Sequence, residues 1–218
     1  MTRNYFDKEL QELQVSLLKM SSMVEETLNN SIKALKIQDV ELEQKVIDDD
    51  DKIDDMEYKV EDKCLKLIAL QSPLAKDLRI IATALKIITD LERIADYSVD
   101  ISKITIKLAN EKYIKELIDI PRMAEIAARM VKGSIDAYVK LDTEKALEVA
   151  KWDDEVDALY RQIYRELIFI MIEDPKTIHQ ATYFLMISRY LERIGDHVTN
   201  ICERIIYSVT SEHVNLND

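Results

Sequence analysis

Glycine and proline are almost missing, with 2 and 3 respectively among 218 residues. A chain with so few residues suited to tight turns is not a hairpin-rich sheet protein; it calls for long helices joined by few connections. Cysteine is equally scarce. Cys64 and Cys202 form no C-x-x-C spacing and occupy non-equivalent places in the internal repeat described below, so they read as reduced core residues of a cytoplasmic protein. No apolar run exceeds Leu167 to Ile172, which excludes a membrane-spanning helix of roughly 20 residues. The opening Met1-Thr2-Arg3-Asn4 leads into a charged amphipathic pattern and not a targeting segment, so the expectation is a soluble protein that reaches a membrane only through partners. Basic residues are outnumbered by 42 to 30, and the formal charge of −12 disfavours nucleic acid while suiting metal cations or basic partners. Trp152 and the ten tyrosines show no stacking pattern and read as core or interface.

What is abundant is helical periodicity. Phe6, Leu10, Leu13, Leu17, Met20, Val24, Leu28 and Leu35 mark one apolar stripe on a long first helix. Asp39 is placed to cap a second helix that carries Val46, Ile53, Met56 and Val60 and runs to Ser72-Pro73, where the proline suits the first turn of a third. The third has Ala84, Ile88, Leu91, Ala95 and Ser98 on its inner face. Periodicity weakens between Asn110 and Asp119, and Pro121 suits the start of a fourth helix; a fifth then runs to Asp174-Pro175 and a sixth to about Val209. The expected fold is all-α, with two tandem three-helix bundles over residues 1–110 and 121–218 joined by a linker at 111–120. Whether the bundles pack end to end or side by side is open at this level.

The bundles are copies of one another. Leu91-Glu92-Arg93-Ile94-Ala95-Asp96 returns as Leu191-Glu192-Arg193-Ile194-Gly195-Asp196, and Ser31-Ile32-Lys33-Ala34 aligns with Ser134-Ile135-Asp136-Ala137. Acidic residues keep the same register. Glu92 and Asp96 share a helix face at i and i+4, as do Glu192 and Asp196, and Asp50 with Asp54 matches Asp153 with Asp157 on the preceding helix. Like charges at that spacing repel by about 0.2–0.5 kcal/mol per pair, so each face must be solvated or neutralised by a cation. Asp100 adds a carboxylate one turn beyond Asp96, and Asn200 supplies an amide oxygen in the second copy. Oxygen-only sets suit Mg, Mn, Ca or iron, with zinc less favoured without placed Cys or His.

An acidic run such as Asp48 to Asp51 is ordinarily a solvated surface, but surface charge has no reason to hold register through a duplication. Arg93 and Arg193 point away from the core and suit ion pairs between helices or partner contacts, and His197 reads as an exposed or capping residue. A di-iron carboxylate enzyme would require Glu-x-x-His, which His179, His197 and His213 do not supply. A plain helical adaptor would need no acidic register. The duplicated plan and the paired motifs on the second, third, fifth and sixth helices resemble the PhoU family over residues 5 to 210. That resemblance implies a cytoplasmic, non-enzymatic and often dimeric regulator between the ATPase subunit of a phosphate ABC transporter and a sensor histidine kinase, repressing the starvation response when phosphate is plentiful. It also implies divalent or trivalent metal (iron, Mn, Mg or Zn) at Asp50, Asp54, Glu92 and Asp96 and at Asp153, Asp157, Glu192 and Asp196, with Asp100 a natural addition. Asn200 departs from the acidic pattern, so the second site is expected to carry less charge and to bind less tightly.

Overall fold

The structure, a computed structural model, describes residues 3–217; Met1 and Thr2, at the charged amino-terminal start, lie outside the described residues. The regular elements of the described chain are all helical, in the order α1 (Arg3–Ile37), α2 (Val40–Asp48), α3 (Asp51–Gln71), α4 (Ala75–Leu108), α5 (Asp119–Lys140), α6 (Thr143–Ala150), α7 (Asp153–Glu173), a 3₁₀ turn (Pro175–Thr177) and α8 (Ile178–Thr210). The periodic stripes are the core. Of the eight residues marked on α1, seven are buried and Leu10 is half-buried, and all five marked on α4 are inside.

The expected second and fifth helices are each broken in two. At both corners, 49–50 and 151–152, backbone N–H groups switch from the i−4 to the i−3 carbonyl: Ile53 donates to Asp50 at 2.7 Å and Trp152 to Val149 at 3.0 Å. Adjacent aspartates, poor helix formers that repel one another, favour such a corner in the first half. In the second half the corner seats the Trp152 side chain. Asp39 caps α2 by accepting from Leu42 N at 3.0 Å, and its counterpart Asp142 caps α6 by accepting from Lys145 N at 2.9 Å. The preceding Gln38 and Leu141 both take a left-handed backbone that ends α1 and α5. Pro73, expected in the first turn of a helix, instead stands outside α4 in the extended link, where it restricts the chain ahead of the N-cap at Leu74.

The halves lie side by side. Helix α4 packs most extensively on α8, and α1 lies on α5, so one continuous core runs through both bundles. The register of α4 on α8 is antiparallel: Arg79 Nε donates to Ser208 O at 3.3 Å, His197 Nδ1 is 2.9 Å from Asp90 Oδ1, and Tyr97 stacks on Tyr190 at 5.6 Å. The buried hydroxyl of Tyr138 on α5 donates to Ile80 O on α4 at 3.0 Å. The link 109–118 is fastened to both halves. Gln180 accepts from Ile114 N and donates to Lys112 O, Tyr113 donates to Leu35 O, and Gln38 donates to Leu108 O and Glu111 O. Cys64 and Cys202 are free and buried.

Candidate functional site

Each half brings its two acidic motifs onto facing helices. In the first, α3 and its corner present Asp50 and Asp54 toward Glu92 and Asp96 on α4. Burial pushes the Asp50 carboxyl up to about 6, and the charges of Asp54 and Asp96 push the same way. Burial followed by the charge of Asp96 raises Glu92 to about 7, against a smaller opposing pull from Arg93. Asp54 is raised by burial and then by Asp96. A fifth acid, Glu57, belongs to this group: it is raised by burial, lies near Asp54 and Glu61, and accepts from Thr89 Oγ1 at 3.3 Å. The sequence reading passed over Glu57, although it continues the face of Asp50 and Asp54 at i+7 and could have been found by extending that stripe.

In the second half, burial raises Asp153 to about 7, with Asp196, Asp157 and Glu192 adding repulsion in that order. Glu192 and Asp196 are raised by burial as well. The carboxylate of Asp153 rests on α8 where Gly195 leaves room; a methyl group there would overlap Asp153 Oδ1. This close approach is why the second motif reads Ile-Gly-Asp where the first reads Ile-Ala-Asp. Asp153 Oδ1 and Glu192 Oε2 are buried without any hydrogen-bond partner, a costly condition for carboxylate oxygens.

Cations already sit around both clusters. Arg93 pairs with Glu92 and, at 2.8 Å, with Asp96. These are contacts within α4, so the expected ion pair between helices is not made by Arg93. Arg193 does cross between helices, but to an aromatic partner: its Nη1 lies 3.5 Å from Tyr97 Oη. Arg161 holds Asp157 at 2.9 Å and Arg189 pairs with Glu192. Asp100 is turned to Lys103 at 3.3 Å, and Asn200 accepts from Asn217 of the carboxy-terminal tail at 3.1 Å. His197, read as exposed or capping, instead pairs with the buried Asp90, which Arg204 also approaches at 3.6 Å.

Comparison with known proteins agrees with the duplicated plan. The PhoU domain family model matches twice, at residues 17–105 and 120–205. The chain belongs to the PhoU family. A phosphate-specific transport system accessory protein PhoU homolog of Clostridium acetobutylicum is 46% identical over 219 residues, covering 100% of both chains. The homolog of Aquifex aeolicus is 40% identical, covering 95% of this chain and 94% of its own. Among solved structures, PhoU from Pseudomonas aeruginosa has a TM-score of 0.90 at 35% identity, covering 95% of this chain and all of that one. The phosphate transport system regulatory protein PhoU from Streptococcus pneumoniae has the same TM-score at 31% identity, covering 96% and 99%.

The PhoU resemblance implied metal at both clusters. Among the described residues no three Asp, Glu, His or Cys side chains converge closely enough to hold an ion as they stand. The donor chemistry nevertheless fits a hard cation, since every candidate donor is oxygen and two buried carboxylate oxygens of the second cluster lack partners. A bound cation would offset the burial cost and the added repulsion that raise Asp50, Glu92 and Asp153.

Proposed function

We propose that this chain is a cytoplasmic, non-catalytic regulator of phosphate uptake and phosphate-starvation signalling, linking the ATPase subunit of a phosphate ABC transporter to a sensor histidine kinase and keeping the response off when phosphate is plentiful. The observation that carries this reading is full-length similarity to a protein named as an accessory of the phosphate-specific transport system. One core running through both halves gives a stiff body, suited to passing contacts from one partner to another. No helix among the described residues is long and apolar enough to cross a membrane, so attachment to the transporter would be by docking. Self-association into a homodimer is part of the same reading.

In this proposal Asp50, Asp54, Glu92 and Asp96 hold one cation, and Asp153, Asp157, Glu192 and Asp196 the other, with Asp100 and Asn200 flanking. The bound ions would neutralise the two acidic faces for partner contact. The second cluster is the tighter one in this reading, the reverse of the order expected from Asn200, because its unpartnered buried oxygens have most to gain. A metal-handling or general adaptor role is the competing reading, and those orphaned oxygens are what favours it.

Secreted alkaline phosphatase in a deletion strain grown with ample phosphate tests the regulatory role. High activity without the gene and low activity on its return is the expected result; unchanged activity on deletion would overturn it. Changing Asp96 and Asp196 together to Asn tests the cation proposal through metal content and metal-dependent melting. Values equal to those of the unaltered protein would discard it.

A further inference from the structure

The two halves are filled differently at their corners. In the second half Trp152 lays its indole beside α5 and α6, with the Arg129 guanidinium 4.3 Å and Lys145 Nζ 4.8 Å from the ring centre. Gly133 lies against this corner: a Cβ there would clash with Val149 at 2.7 Å but would meet the indole only in ordinary contact, at 3.4 Å. In the first half the equivalent corner residue is Asp49, whose carboxylate is held by Lys52 at 2.5 Å. Glu26, Asn30 and Leu42 replace Arg129, Gly133 and Lys145. Where the indole would be, an opening of about 190 Å³ remains between α1, α2 and α3.

That opening has a built interior. Its lining is mixed: Val46 and Ile53 are buried at the base beside Met23 and Leu42, the polar Thr27, Asn30, Asp49 and Lys52 complete the walls, and the exposed Glu26 and Lys45 stand at the rim. A volume of about 150 Å³ accommodates benzene, so by size alone this opening admits an aromatic ring, with polar groups left to meet its edge. Neither Glu26 nor Lys45 has a side-chain ion pair or hydrogen bond among the described residues. Glu26 stands where Arg129 flanks the indole, and a carboxylate there is complementary to a ring N–H or phenolic O–H and to a cation beside the ring. The exposed rim lets a side chain enter while its backbone stays in solvent.

We propose that this berth in the first half is a docking site for an aromatic side chain, tryptophan or tyrosine flanked by a basic residue, presented by a partner protein. The guest supplies from outside what Trp152 supplies within the second half. Aromatic anchors seated in pockets are a recurrent source of interface affinity. The proposal does not depend on the phosphate-signalling role.

The test uses the full chain carrying ¹³C-methyl methionine, with the Met23 signal assigned by Met23→Leu. The probes are the capped peptide acetyl-Gly-Trp-Lys-amide and, separately, free indole. The peptide is expected to shift the Met23 methyl saturably, with a Kd on the order of 1 mM for a single anchor, and to leave that of the buried Met123 in place. Thr27→Phe on α1 and Asp49→Trp at the α2–α3 corner, which fill the berth from two sides, are each expected to weaken the effect about tenfold or more. Thr27→Phe leaves the α2–α3 corner untouched. The absence of a saturable Met23 shift, a shift with indole but not with the peptide, or a shift that survives in both filled variants would each overturn the proposal.

Discussion

At the seat of Glu43 in the first half the second half has Ala146, and around it Ser102 and Thr105 become Cys202 and Ile205. The backbone plan is the same at both places, yet one is polar and the other apolar. Glu43 is fully buried, neither carboxylate oxygen completes a hydrogen bond, and burial pushes it up to about 7 despite the neighbouring Ser102 and Thr105 hydroxyls. The acidic clusters differ in the same manner. The first contains Glu57 and stays open to solvent at Asp96; in the second Tyr160 replaces Glu57, Arg189 lies over that ring, and two oxygens are sealed inside. Duplication therefore conserved where side chains point, while the polarity at each place drifted.

The largest test of this difference is Ala146→Glu, which puts a carboxylate among Cys202 and Ile205 without the two hydroxyls of the first half. Denaturant unfolding at pH 8 should show a loss of about 3–5 kcal/mol, and a small loss would mean that the second half is not the drier of the two. Removing the charge in the first half, by Glu43→Gln, should stabilise by about 1–3 kcal/mol at pH 8 and have little effect near pH 4. The sign follows from the raised pKa. The folded protein holds this proton more firmly than the unfolded chain, so stability falls as pH rises from the ordinary glutamate value toward about 7 and the penalty is complete above it. A flat difference between variant and parent across that range would remove Glu43 as the cause.

Gly195→Ala makes the second motif read like the first and should displace the Asp153 carboxylate. The cation affinity proposed for the second cluster should then fall about tenfold by calorimetric titration, while the fold gains up to about 1 kcal/mol of helix propensity. Equal affinities before and after would show that the glycine serves packing alone. The smallest effect belongs to the features the halves share. Asp39→Ala and Asp142→Ala should each cost about 1 kcal/mol in thermal or denaturant unfolding, and unequal losses would show that even the caps have diverged.

These contrasts also mark what sequence could reveal. The apolar stripe from Phe6 to Leu35, the cap at Asp39 and the repeated Leu-Glu-Arg-Ile motif are local patterns, and each was legible because its physics acts within a few turns of one helix. The corners at 49–50 and 151–152 were not, because a shift from i−4 to i−3 bonding depends on how α2 and α6 seat against α4 and α8. Asp90 and His197 stand far apart in the chain and meet only through the register of α4 on α8. Glu43 looked like one more surface acid on an amphipathic helix; its burial depends on the face that α4 turns toward it. Repeat register paired Asp50, Asp54, Glu92 and Asp96 but not Glu57, which joins them only when α3 faces α4, and it could not show which oxygens end without partners.

The seam between α4 and α8 also preserves a trace of ancestry. Tyr97 stacked on Tyr190 and Asp90 paired with His197 occupy places that a half-turn about the middle of the seam would exchange. Two identical half-length chains meeting along this seam would have to use the same residue pair at both places. Once the halves share a single chain, each end of the seam can differ, and one holds an aromatic pair while the other holds an aspartate–histidine contact. The internal repeat is thus joined by a seam with two distinguishable ends, which gives the molecule a direction that two identical halves would lack.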